Sequence, residues 1–218
     1  MKPRLSSRPE AALTLLETSV VVAVELVLVA TLLAVLTSGT RKVKTLTCSD
    51  HLRQIGMAYR SWEGDHGGRY PTGLSMTNGG AMERSQMGDA VATFQVMSNE
   101  LSTAVKLWCP ADARRYESRR FPDLRNLNVS YFVGVDATNP SNPRMILAGD
   151  CNLGVGGKRV KPGLVWLRTN QPVTWGATRH VGCGNLGLND GSVQAASAKE
   201  LCVYFERTGL ATNRLAIP

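Results

Sequence analysis

The strongest constraint on this chain is an apolar run near its start, Leu13 to Leu36, interrupted only by the carboxylates Glu17 and Glu25. At about 1.5 Å per helical residue the run reaches about 36 Å, enough to cross a hydrocarbon core about 30 Å thick. Lys2, Arg4 and Arg8 precede it, and Arg41, Lys42 and Lys44 follow. It reads as a single membrane-spanning helix at residues 13–36. A secretory signal removed whole fits less well than either a processed or an anchored segment, because its apolar core would be only about 7–15 residues long.

The apolar pattern then changes without an intervening proline, since none occurs between Pro9 and Pro71. Cys48, Leu52, Ile55, Tyr59 and Trp62 recur at intervals of four, three, four and three, which places them on one helical face. Residues 37–66 are therefore expected to continue the helix as an amphipathic half lying against a globular domain at 67–218. Gly67-Gly68 ends that helix and Pro71 prevents its resumption.

A carboxylate four residues into a membrane run needs a reason, because an ionisable group there costs about 2.5–3.5 kcal/mol even on the insertion scale. The order of features supplies one: a basic leader, a small residue at Ala12, Leu13-Thr-Leu-Leu-Glu17, then the apolar run. This resembles the signal of type IV prepilins and type II secretion pseudopilins, usually Gly-Phe-Thr-Leu-x-Glu before an apolar helix. The resemblance implies a leader at 1–12, cleavage by a prepilin peptidase after Ala12, and N-methylation of Leu13. Glu17 would pair with the terminal amine of a neighbouring subunit during assembly, the kind of partner that makes a buried carboxylate tolerable. Here Ala12 stands where glycine is usual and Leu13 where phenylalanine is usual. An uncleaved membrane anchor carrying a binding module is the alternative.

A second resemblance covers Cys48-Ser-Asp-His-Leu-Arg-Gln-Ile-Gly-Met-Ala-Tyr59 and Asp65-His-Gly-Gly-Arg-Tyr-Pro71. Both are similar to segments of the planctomycete-type pilin-like family with the H-X9-DG signature, with His51 in place of an asparagine. The signature itself is matched by His180, nine residues, then Asp190-Gly191. These likenesses imply an α+β, pilin-like fold: a long N-terminal helix packed on a small antiparallel sheet. They also imply the bacterial inner membrane, a single pass, an extracytoplasmic domain, and related pilin subunits as partners through the helix.

In the domain, Thr72 to Asp89 reads as a surface loop, Ala90 to Leu101 as a short helix, and Val105 to Asp112 as a strand. Arg114 to Asn128 reads as an exposed basic loop. Strands are expected at Val129–Val135, Arg144–Gly149 and Leu164–Leu167, with Tyr131, Phe132, Ile146, Leu147 and Trp166 in the core. Asp190-Gly191 predicts a type I′ hairpin between Asn185–Asn189 and Ser192–Ala196.

Candidate chemistry is sparse. His180 and Asp190 could meet over the hairpin and bind calcium, although an oxygen-rich ligand set is not visible. His180-x-x-Cys183 offers half a zinc site without a second half. Asp112 is a ligand or a turn carboxylate. An enzyme or metal-dependent module would have to be built around His180, Asp190, Asp150 and a cysteine, but no nucleophile-and-base motif or phosphate-binding loop occurs. The five cysteines, an odd number, allow one or two disulfides and leave at least one thiol. The formal charge of +8 is dispersed, with no aromatic series beside it, which argues against a specific nucleic-acid partner.

Overall fold

The computed structural model describes residues 14–177, 179–180 and 182–218. The leader and the expected Ala12–Leu13 junction lie outside the described residues. The chain divides into two compact units between Lys42 and Val43. Helix α1 runs from Leu15 to Asp65. Within it, Leu15–Val35 is long and apolar enough to span a membrane, and its residues are exposed. Such a surface suits lipid rather than water.

The outer part of α1 bears out the stripe: Cys48, Leu52, Ile55, Tyr59 and Trp62 are all buried. The helix stops where glycine permits a left-handed backbone. Gly67 and Gly68 have φ of 64° and 74°, and the Gly68 amide returns to the Glu63 carbonyl at 3.2 Å. Met82–Gln86 (α2), Ala90–Val96 (α3) and Ser98–Leu101 (α4) follow. The expected surface loop at 72–89 is therefore partly helical, with Thr72, Ala81 and Ser85 buried. The expected strand at Val105–Asp112 is absent. Ala104–Leu107 is a 3₁₀ turn, and the segment is drawn inward by Leu107 and by Cys109, which bonds to Cys48.

Among the described residues nine strands follow: β1 Tyr131–Gly134, β2 Ile146–Asp150, β3 Leu153–Val155, β4 Lys158–Arg159, β5 Gly163–Arg168, β6 Val173–Trp175, β7 Cys183–Leu188, β8 Val193–Ser197 and β9 Thr212–Ile217. Helix α5, Ala198–Arg207, lies between the last two. Six of the strands make an antiparallel sheet in the order β5-β9-β1-β2-β7-β8, and β4-β3-β6 make a small second one. One face of the large sheet packs Tyr131, Val133 and Leu147 against the α1 stripe. The other face packs Phe132, Leu186 and Leu215 with Trp175 of β6 and Leu201 and Phe205 of α5. A sheet covered on both faces explains why β1 and β2 are buried at every position instead of alternating.

Trp166 departs from expectation. It is 60% exposed on β5, where the Arg214 guanidinium sits 5.7 Å from its ring centre. The Asp190-Gly191 turn also differs. Only Gly191 has positive φ, at 86°, and its amide bonds to the Leu188 carbonyl while the Leu188 amide bonds to Ser192. This is a three-residue type I turn with a glycine bulge rather than type I′. The additional residue is Asn189, whose buried amide donates to the carbonyls of Asn139 and Asn142 and accepts from the Tyr70 hydroxyl.

His51 faces inward beside the Trp108 carbonyl, 3.1 Å from Nδ1. Burial holds its imidazole below the ordinary value of 6.5, against the opposing pull of that carbonyl and of Asp50. Below about pH 6.5 the unfolded chain takes up the His51 proton first, so this contribution to stability is present at neutral pH and is lost as pH falls. His51→Asn is expected to flatten the loss of stability between about pH 7.5 and pH 5 in urea titrations. An unchanged slope would contradict that role.

Candidate functional site

The polar residues that the fold gathers lie where the 109–115 turns, the start of β1, the end of β2 and the link from β6 to β7 converge. At the centre is Arg179, whose side chain is 1% exposed. Its guanidinium donates to the Asp112 carboxylate and to the Ser130 carbonyl at 2.7 Å, and it lies 3.2 Å from the Cys151 sulfur. Asp150 is 3.9 Å from the same group. Arg115 approaches from the other side, donating to the Val129 carbonyl, to Cys151 at 2.5 Å and to the Pro218 carbonyl at 2.6 Å. The expectation that residues 114–128 are an exposed basic loop is thus corrected at Arg115, which is buried. The cationic fork fits because each face meets an acceptor, which is how a buried charge is tolerated.

Asp112 combines two roles. Its Oδ1 accepts the Arg114 amide at 3.2 Å as a turn carboxylate, and its Oδ2 takes Arg179 and the Ser130 hydroxyl. Asp150 is fully buried. Its Oδ2 accepts the Asn185 backbone amide at 2.8 Å and side-chain amide at 2.9 Å, while Oδ1 has no hydrogen-bond donor. Burial raises its carboxyl above the ordinary carboxylate range, opposed by His180 and Arg179.

His180 sits beside this cluster. Its backbone φ of 39° is unusual for a residue with a side chain, and it turns an almost fully buried imidazole inward. Nδ1 meets the Thr45 hydroxyl of α1 at 3.1 Å; Nε2 lies 3.6 Å from Asp150 Oδ2 and 3.6 Å from the Cys109 sulfur. Cys109 is joined to Cys48 of α1, and Cys151, Cys183 and Cys202 are free thiols. This disulfide links the helix to the turn before the sheet.

The arrangement brings neither of the two pairings considered from sequence together. His180 and Asp190 do not meet, because they flank β7 at its opposite ends; Asp190 Oδ1 caps the turn by accepting the Ser192 amide at 2.8 Å. His180 does not form a unit with Cys183, which is exposed and whose Cα pairs with Ser197 on β8. Instead, His180 joins Asp150, Cys48 and Cys109. Asp150 and a cysteine stand beside His180 in the sequence reading only in the rival enzyme or metal-dependent alternative; Arg179, Arg115 and Thr45 do not figure there, since nothing local in sequence distinguishes a buried arginine from a surface one.

At the other end of the chain, Glu17 closes a capping box. Its carboxylate accepts the Thr14 amide at 2.8 Å and hydroxyl at 2.9 Å, and its own amide faces the Thr14 hydroxyl at 3.3 Å. In sequence, Glu17 stands out through its resemblance to the prepilin signal, and the Thr14-x-x-Glu17 spacing is not singled out as a helix start. Compared with protein-family models, curated proteins and solved structures, the chain matches none.

Proposed function

We propose that the chain is a pilin-like or pseudopilin-like structural subunit of a type II secretion or type IV pilus-like filament. A prepilin peptidase cuts between Ala12 and Leu13, and the subunit resides in the bacterial inner membrane as a single-pass protein with its domain extracytoplasmic until it assembles. The observation that carries this reading is one helix with two surfaces. Thr14 and Glu17 open α1, Leu15–Val35 is apolar and exposed, and the Cys48-to-Trp62 face of the same helix is buried in an antiparallel α+β domain. A protein built this way exchanges lipid for like helices at little hydrophobic cost, so side-chain packing and polar pairs decide the partner.

The acidic side chain at the mouth of that helix deepens the reading. While Thr14 is its neighbour, the carboxylate is satisfied within its own chain; a new amino terminus at Leu13 would bring a cation next to it. Glu17 then becomes an acceptor for the amine of an adjacent subunit, at the membrane position where an unpaired charge is costly. The reading involves no catalytic residue, and its partners are the peptidase and related subunits rather than nucleic acid.

Glu17→Ala is the discriminating variant. Cleavage is expected to persist while co-assembly, read by crosslinking of membrane-embedded subunits, falls at least about tenfold, the factor equivalent to about 1.4 kcal/mol of lost pairing. Unchanged crosslinking would favour a second reading, an uncleaved anchored binding module, to which Ala12 at the cut site lends support.

A further inference from the structure

Cys48, Cys109, Asp150 and His180 come from four separate parts of the chain: α1, the turn after Leu107, the end of β2 and the β6–β7 link. Their potential ligand atoms all lie within 4.8 Å of one another. We infer that in the thiol form of this chain these four side chains are a tetrahedral Zn²⁺ site, and that metal and disulfide are mutually exclusive occupants of the same place.

The geometry carries this. Zinc bonds of about 2.3 Å to sulfur and about 2.0–2.1 Å to nitrogen or oxygen give a tetrahedron with edges of about 3.3–3.8 Å. His180 Nε2 stands 3.6 Å from the Cys109 sulfur and 3.6 Å from Asp150 Oδ2, so two edges already have that length. The sulfur–sulfur edge is held short by the covalent bond and opens once that bond is broken. Both cysteines are fully buried.

The surrounding groups act as a supporting shell. Thr45 meets His180 Nδ1 and leaves Nε2 facing the sulfur, as happens when a hydrogen bond to one ring nitrogen leaves the other to bind a metal. Asn185 holds Asp150 Oδ2 with two donors, whereas Oδ1 is buried without one. A disulfide makes no use of an inward-turned histidine or of a carboxylate oxygen that lies 3.9 Å from Arg179 without a hydrogen-bond donor; a bound cation would use both. The strained backbone at His180 fits the same purpose.

The chemistry balances in two steps. A phosphine reductant and water convert the disulfide to two thiols and a phosphine oxide. Zn²⁺ then displaces both thiol protons, which leave to solvent, and the two thiolates with Asp150 neutralise and exceed the metal charge. Newly made chain that has not yet been oxidised needs only the second step.

The test uses the full chain in detergent carrying Cys183→Ser and Cys202→Ser, with Co²⁺ as the spectroscopic probe. After phosphine reduction it is expected to take one equivalent, with tetrahedral ligand-field bands and thiolate-to-cobalt charge transfer, and Zn²⁺ should displace the cobalt. The oxidised form should take none. His180→Ala and Asp150→Asn should each lower affinity at least about tenfold. Thiol counting of these variants before reduction checks that the Cys48–Cys109 bond still closes, separating lost ligation from misfolding. No cobalt on the reduced chain, octahedral bands without charge transfer, or undiminished affinity in the variants that still close the disulfide would overturn the site. The inference is independent of whether the leader is cleaved.

Discussion

Arg179→Met is expected to destabilise the domain by about 3–5 kcal/mol, because it removes the cation from a buried pair and leaves its partners behind. Asp112 would lose its guanidinium donor, the Ser130 carbonyl would lose a hydrogen bond of 2.7 Å, and Asp150 would be left with His180 and the two Asn185 amides. Urea unfolding followed by the near-ultraviolet signal of the tryptophans would show the loss as a lowered midpoint with little change in slope. Arg179→Lys should fall between the two, since a point charge cannot span Asp112 and Ser130 as the fork does. A midpoint unmoved in both variants would mean that the cluster is solvated and does not brace the fold.

The second large effect concerns the bond between Cys48 and Cys109. Its residues are separated by 61 positions, and closing a loop of that length removes unfolded-chain entropy equivalent to about 4 kcal/mol. The Cys48→Ala, Cys109→Ala double variant should lose about that amount in metal-free buffer. Docking of the outer half of α1 on the sheet should weaken in particular, and hydrogen exchange across 48–62 would rise before exchange in β1 and β2 does. Equal protection in variant and parent would contradict a role for the bond in holding the helix. Reduced parent chain should recover part of the loss when zinc is added, and the double variant should not.

The helix was legible because its signals were local. The intervals of three and four from Cys48 to Trp62 and the pair Gly67-Gly68 each act between residues a turn or so apart, so they survive in any tertiary setting. The hairpin at Asp190-Gly191 was legible for the same reason, although its turn type was decided at a distance by what Asn189 reaches. Helix α5 also carried a local mark, Ser197-x-x-Glu200, in which Glu200 accepts the Ser197 amide at 2.7 Å. Strand β9 had no such mark: the place of Thr212–Ile217 between β1 and β5 is conferred by partners far away in sequence.

The polar cluster shows the same division. Arg115 and Arg179 look like surface residues because burial of a charge depends on acceptors that only topology assembles, here from Asp112, Val129, Ser130, Cys151 and Pro218. His180 stands out through its motif, but the partner considered for it, Asp190, is ten residues along a strand, where extension of about 3.3 Å per residue carries the two apart. Its actual neighbours come from α1, the turn at 109 and β2. Trp166 differs in the opposite direction: an aromatic in an apolar strand reads as core, yet on β5 at the sheet edge it is largely exposed, with the Arg214 guanidinium near its ring.

The most direct test of the account is the intact mass and N-terminal sequence of the membrane-extracted chain, made with and without a co-expressed prepilin peptidase. The account predicts that the peptidase converts the chain to one beginning at N-methylated Leu13, with Lys2, Arg4 and Arg8 removed. A chain that still begins at Met1 in the presence of an active peptidase would contradict it, and the role given to Glu17 in assembly would fall with it.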